Sequence, residues 1–66
     1  MPTVPELFAF ENRHHRHTSR KEALILDELA LRPARYYQLL LRAARSAEGW
    51  ALDPMLCRRT LAKEAA

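Results

Sequence analysis

Residues 19–40 run SRKEALILDELALRPARYYQLL and predict two helices joined by a short turn. Ser19 followed three residues later by Glu22 has the pattern of a capping box, so a helix is expected to begin at about Arg20. Leu31-Arg-Pro33 interrupts this helix, because the residue before a proline disfavours the helical conformation whereas proline itself suits a first helical turn. We therefore expect helices over about 20–30 and 33–46.

The flanking sequence predicts two more helices. One covers about 5–17, with Pro5 in its first turn and an amphipathic face made of Leu7, Phe10, His14 and His17. The other covers about 54–63, after Asp53 as N-cap and Pro54 in the first turn. Because strong helix formers dominate and no alternating β-branched pattern occurs, the expected fold is all-α: a single domain over 1–66 that forms a small bundle of three to four helices.

Between the last two predicted helices lies Glu48-Gly49-Trp50. Glycine is expected to end the preceding helix in the left-handed conformation, as it commonly does just after a last turn. Trp50 and Leu52 would then fold back onto the core.

The apolar residues around the 31–33 turn have the spacing of a helix-turn-helix: Ile25, Leu29, Leu31, Tyr36 and Leu39. Ala30 stands where such a turn often has glycine. The predicted inner stripes are Ile25, Leu26 and Leu29 on one helix, and Tyr36, Leu39, Leu40, Ala43 and Ala47 on the next. A plain helical bundle with a solvated basic face has the same pattern, so the spacing alone leaves both open.

Basic residues are concentrated in two blocks. Residues 13–21 contain four Lys or Arg, three His and no acid, and residues 32–45 contain four Arg and no acid, within a chain of net charge +3. Such blocks are typical of proteins that bind polyanions. Solvated helix faces and GC-rich genomes also favour arginine, so charge by itself does not distinguish these explanations.

If the turn is that of a helix-turn-helix, the helix after Pro33 is the one presented to the major groove of DNA. Arginine can contact phosphates or grip guanine, and Gln38 can address adenine. The predicted DNA-binding residues are Arg32, Ala34, Arg35, Tyr37, Gln38, Arg42 and Arg45, together with Arg20 and Lys21 of the first basic block. Double-stranded DNA is the expected partner.

Size and composition exclude several classes of protein. A chain of 66 residues with one cysteine can hold neither an internal disulfide nor a separate cofactor domain. No apolar run approaches the roughly 18 residues of a membrane-spanning helix, and the N-terminal sequence is unlike a signal peptide. We expect a cytoplasmic protein without cofactor, membrane partner or enzymatic activity.

The remaining reactive side chains have ordinary explanations. His14 and His17 stand one helical turn apart, but a structural zinc site needs four ligands, so His14 is expected to pack beside Phe10. Cys57 is expected to be a partly buried thiol, because no base is visible to activate it. No metal or catalytic site is predicted.

Three side chains fall outside the predicted core stripes and leave a second class of function open. Tyr37 is expected to point toward a partner, because adjacent tyrosines on a helix diverge by about 100°. Leu24 and Leu41 also lie off the stripes, which would suit a homodimer seam. The alternative to DNA binding is therefore a small interaction protein that modulates a host protein through Tyr37, Leu41 and the basic face.

Two motifs carry a resemblance to a known family. Arg35-Tyr-Tyr-Gln38 and Asp53-Pro-Met-Leu56, with Lys21-Glu22 and Arg58-Arg59, make residues 10–59 similar to an uncharacterised family of small actinobacterial and actinophage proteins. This resemblance implies an all-helical, helix-turn-helix-like fold and, by analogy with regulators, a DNA-binding transcription regulator. The chain departs from the family at His14 and His15, where aromatic residues are usual, and at Arg32, where a small capping residue is common.

Overall fold

The computed structural model describes residues 1–65, without the side chain of residue 65, and this part of the chain is helical with no strand. Five helices follow one another: α1 (Val4–Arg13), α2 (Ser19–Leu29), α3 (Pro33–Ala44), α4 (Ala47–Leu52) and α5 (Pro54–Ala65). The expected all-α class is confirmed, with one helix more than the sequence predicted. No described helix has the length and apolar character needed to span a bilayer.

Local capping explains where three of the helices begin. Thr3 and Glu6 form a capping box at the start of α1, with each side chain bonded to the other residue's backbone N–H. Asp53 Oδ1 accepts a hydrogen bond from the Leu56 N–H at 3.1 Å, which confirms Asp53 as the N-cap of α5. Helix α2 is capped by Thr18, whose hydroxyl accepts the Lys21 N–H, so the box predicted at Ser19 and Glu22 was wrong by one residue.

Helix α1 ends four residues earlier than predicted. It stops at Arg13, and His14 caps it by donating its N–H to the Phe10 carbonyl. Residues 14–18 instead form the connection to α2. This early end lets the chain reverse, so that Lys21 of α2 can reach Glu11 of α1.

The segment after α3 also differs from the prediction. Helix α3 ends at Ala44, and Ser46 caps a short extra helix by accepting the Gly49 N–H. Gly49 lies inside α4 with a helical backbone, so its predicted left-handed role was wrong. A side chain at this position would overlap the Ala43 carbonyl, which explains why the residue is glycine. Trp50 lies on α4 with 37% of its surface exposed instead of plugging the core.

Helix α3 is the centre of the molecule, because it packs against each of the other four helices. Tyr36, Leu39, Leu40 and Ala43 on its inner side are buried, as the 3.6-residue period predicted. Ala47, the last member of the predicted stripe, is exposed at the start of α4, so its place there was wrong. The core comprises Leu7, Phe8 and Phe10 of α1, Ile25 of α2, Tyr36, Leu39, Leu40, Ala43 and Ala44 of α3, and Leu56 and Cys57 of α5. Leu26 is 59% exposed, so its place in the inner stripe was wrong, whereas Leu24 packs against the core.

Candidate nucleic-acid interface

The outward side of α3, together with its C-cap residue, carries a polar surface that we call the α3 arginine face: Arg35, Gln38, Arg42 and Arg45. Positions 35, 38, 42 and 45 recur at steps of three and four, so they share one side of the helix, opposite the buried residues. All four are exposed, and α3 contains no acidic residue. The face is therefore an exposed array of three guanidinium groups around one amide.

Contacts within the molecule hold two of these arginines. Arg35 donates to Gln38 Oε1 at 2.7 Å, and a second N–H of Arg35 lies 3.9 Å from the Met1 sulfur. Arg45 forms an exposed ion pair with Glu64 of α5, with 2.7 Å between Nη2 and Oε2. Exposed pairs of this kind contribute about 0–1 kcal/mol, so they can exchange for a phosphate contact at little cost.

The start of α3 extends this face. Arg32 is the N-cap residue, but its side chain makes no capping hydrogen bond, and both Arg32 and Ala34 are exposed. The first N–H groups of a helix are unpaired and favour anions. Residues 32 and 34, which were predicted to contact DNA, are thus open to solvent at the start of α3.

Lys21 does not lie on this surface. It is 2% exposed, and its ammonium donates to Glu11 Oε1 at 2.8 Å. Tyr36 donates its hydroxyl to the same oxygen at 2.5 Å, so α1, α2 and α3 meet at one buried carboxylate. Lys21 is therefore a structural residue, and its predicted role in contacting DNA is corrected. Arg20, the other residue predicted there, is exposed in the first turn of α2.

Tyr37 is half-buried and points away from the arginine face. Its hydroxyl lies 2.8 Å from His17 Nδ1, and its ring faces the Lys21 ammonium at 5.4 Å. Burial raises the pKa of Tyr37 above its ordinary value. Tyr37 thus belongs with the α1–α2 connection and not with the predicted base-reading residues.

Beside Tyr37 lies the α3–α5 groove, a largely apolar depression that the sequence did not reveal. Its walls are formed by Glu11, His17, Tyr37, Leu40, Leu41, Thr60, Lys63 and Glu64. A groove between two helices depends on their packing, so no single stretch of sequence could have indicated it. Glu11 did have a signal, since it follows Leu7 by four residues and must share its inward side of α1.

The candidate metal ligands are not brought together. His14 packs against Phe10, with 4.8 Å between ring centroids, as predicted, whereas His17 contacts Tyr37. Within residues 1–65 no group of three or more histidine, cysteine or acidic side chains could hold a metal ion. Cys57 is fully buried and burial raises its pKa, so the thiol is protonated at neutral pH.

Comparison with known proteins identifies a family. No curated protein and no solved structure matches the chain. The sequence model of one family, described as "Protein of unknown function (DUF3263)", matches residues 4–65, which is nearly the whole chain. The protein therefore belongs to the DUF3263 family.

Proposed function

We propose that this protein binds double-stranded DNA through the α3 arginine face, with α2, the 30–32 turn and α3 acting as a helix-turn-helix. The observation that carries the proposal is the exposed row of Arg35, Gln38, Arg42 and the C-cap residue Arg45 along α3, a helix that contains no acidic residue. The protein would act as a transcription regulator, by occlusion or recruitment and without catalysis.

The dimensions of α3 suit a major groove. Its 12 residues span about 18 Å at 1.5 Å per residue. The major groove is about 12 Å wide and admits one helix. Because α3 also packs on all the other helices, its outer side would be held rigidly at the DNA surface.

Within this docking the residues would take different roles. Gln38, in the second turn of α3, would pair with adenine, and Arg35 would grip guanine or phosphate. Arg42 and Arg45, further along the helix, would contact phosphates. Arg32 and the free N–H groups at the start of α3 would lie near the backbone of the duplex.

We also propose a biological setting, which rests on the motif resemblance. The motifs at 35–38 and 53–56 suggest an actinobacterial or actinophage origin. A DNA-binding regulator would act in the cytoplasm of such a cell.

Selection from a random duplex pool tests this proposal. We expect Arg42→Ala to weaken binding of the preferred duplex and of unrelated duplexes alike, because a phosphate contact carries no sequence information. Gln38→Ala should instead relax the preference at one position, a discrimination of about 1–3 kcal/mol. Arg58→Ala is the control, since Arg58 is an exposed arginine on α5, outside the face. Wild-type binding by both α3 variants would show that the docking face is wrong.

A second candidate function rests on the α3–α5 groove. Its apolar walls include Tyr37 and Leu41, the residues that the sequence offered for contact with a host protein. A helical or extended peptide would seat its apolar side chains there, flanked by Lys63 and Glu64. Leu41→Ala separates the two functions, because it should weaken protein capture while leaving DNA binding unchanged.

A further inference from the structure

An open cleft lies between the end of α1 and the start of α2, and we call it the α1–α2 cleft. The side chains that matter for its chemistry are Arg13, His14, His15, Arg16, Thr18 and Arg20. Its volume of about 250 Å³ leaves room for a small tetrahedral anion. Three guanidinium groups and two imidazoles therefore border one depression.

The charge of the cleft is only partly neutralised. Glu28 of α2 pairs with Arg13 at 3.2 Å and lies 3.9 Å from His14. Arg16 and Arg20 form no ion pair with the part of the chain that the structure describes, and no described carboxylate lines the cleft. Glu22 borders the neighbouring depression beside His17 and Tyr37 instead. Arg16 and Arg20 are thus two unneutralised cations at one concave site.

The connection that carries these groups is anchored at both ends. His14 packs on the Phe10 ring, and the Thr18 hydroxyl caps α2 by accepting the Lys21 N–H. Lys21 is itself fixed by its ion pair to buried Glu11. These contacts limit the freedom of the loop over residues 14–18. Binding of an anion in the cleft would therefore cost less conformational entropy than binding to a loop without such contacts.

We propose that the α1–α2 cleft binds a phosphate group, with Arg16 and Arg20 as its principal ligands. Arginine suits this chemistry because its planar fork donates two parallel hydrogen bonds to phosphate oxygens. The phosphate belongs either to a nucleic-acid backbone or to a free phosphorylated molecule, since both present the same tetrahedral oxyanion. The site does not depend on the α3 arginine face.

Titration with sodium phosphate, followed by amide NMR against sodium chloride of equal ionic strength, tests the proposal. We expect saturable shifts in residues 14–20 with phosphate. In Arg16→Ala/Arg20→Ala the affinity should fall by at least about tenfold, or about 1.4 kcal/mol. The control is Arg58→Ala/Arg59→Ala, which removes the same charge from exposed positions of α5, outside both basic surfaces, and should retain the shifts.

Two results would overturn the proposal. One is an absence of phosphate-specific shifts at residues 14–20 in the wild-type protein. The other is an equal loss of affinity in both double variants, because that would indicate attraction to net charge and not a site.

A second titration, with random duplex DNA, distinguishes the two sources of phosphate. Shifts at 14–20 that vanish in Arg16→Ala/Arg20→Ala would assign the cleft to a nucleic-acid phosphate. Shifts with inorganic phosphate but not with duplex would assign it to a free phosphorylated molecule. Either result supports the phosphate site. Loss of duplex binding in Arg42→Ala alone instead tests the DNA binding proposed for the α3 arginine face.

Discussion

Lys21 shows how one buried charge links three helices. Its ammonium and the Tyr36 hydroxyl both donate to Glu11 Oε1, and the side chains of Lys21 and Glu11 are almost wholly buried. The rings of Tyr36 and Tyr37 face the ammonium at 5.7 and 5.4 Å. Burial and the hydrogen bond to Glu11 also raise the pKa of Tyr36 well above its ordinary value. A small core thus contains a fully partnered polar cluster.

Breaking this cluster should be costly. We expect Lys21→Met to destabilise the fold by about 3–5 kcal/mol, because it leaves the Glu11 carboxylate buried without its cation. Lys21→Met/Glu11→Gln should recover part of that loss, since it removes both charges and keeps an amide oxygen to accept the Tyr36 hydroxyl. Urea unfolding of both single variants and the double variant gives the coupling free energy. A Lys21→Met loss below about 1 kcal/mol would contradict the assigned ion pair.

We expect His17 to make the fold sensitive to acid. Desolvation, followed by the charges of Lys21 and Lys63, lowers its pKa below the ordinary 6.5. The unfolded chain therefore takes up the His17 proton more readily than the folded chain does. The free energy of unfolding should therefore be higher at neutral pH, and it should fall as the pH drops below 6.5 toward the lower pKa of His17 in the folded state.

The comparison of two histidine variants tests this dependence. In His17→Gln the free energy of unfolding should decrease less than in wild type between about pH 7 and pH 5, the range in which histidine changes charge. His15→Gln, which alters an exposed ring in the same connection, should follow the wild-type curve. Parallel curves for wild type and His17→Gln would show that His17 does not carry this acid sensitivity.

Helix ends show where sequence reasoning succeeded and where it failed. The start of α3 at Pro33 and the Asp53 cap of α5 were predicted, because each depends on the chemistry of a few neighbouring residues. The early end of α1 and the helical Gly49 were not, because each depends on a distant partner. Local signals therefore fixed helix starts better than they fixed the connections.

The candidate surfaces follow the same division. The α3 arginine face was predictable because a single helix with a 3.6-residue period carries all of it. Lys21 was misplaced because its buried partner lies on another helix, ten residues earlier. The α1–α2 cleft and the α3–α5 groove each need two elements to form, so periodicity along one element could not show them.

At Ala30 and Gly49 the residue type is the opposite of the one that the backbone conformation ordinarily favours. Ala30 adopts the left-handed conformation with φ of 55° at the end of α2, where a side chain is strained. Gly49 lies within a helix, where alanine is ordinarily favoured by about 1 kcal/mol. Its α-carbon, however, approaches the Ala43 carbonyl and the Phe8 ring too closely to admit a methyl group.

We expect the two exchanges to have opposite effects. Ala30→Gly should stabilise the protein by about 0.5–1 kcal/mol by relieving the left-handed strain. Gly49→Ala should destabilise it by about 1–3 kcal/mol through overpacking. Thermal and urea unfolding measure both, with Ala51→Gly on the exposed side of α4 as the propensity control. Stabilisation by Gly49→Ala would contradict the close approach of α4 to α3.

The molecule as a whole combines a central helix with two separate basic surfaces. Helix α3 contacts every other helix on its inner side and presents the arginine face on its outer side. The α1–α2 cleft is built from different elements and draws its arginines from the first basic block. The two basic blocks of the sequence therefore form two different surfaces of the folded protein.

Salt dependence of duplex binding tests the central claim most directly. Fluorescence anisotropy with random duplex DNA should give an affinity that falls steeply with salt, because bound arginines release counterions from phosphates. Arg35→Ala/Arg42→Ala should lower the slope of log affinity against log salt by about 2, whereas Arg58→Ala should preserve it. An unchanged slope in the double variant, or no binding by wild type at low salt, would contradict DNA recognition by the α3 arginine face.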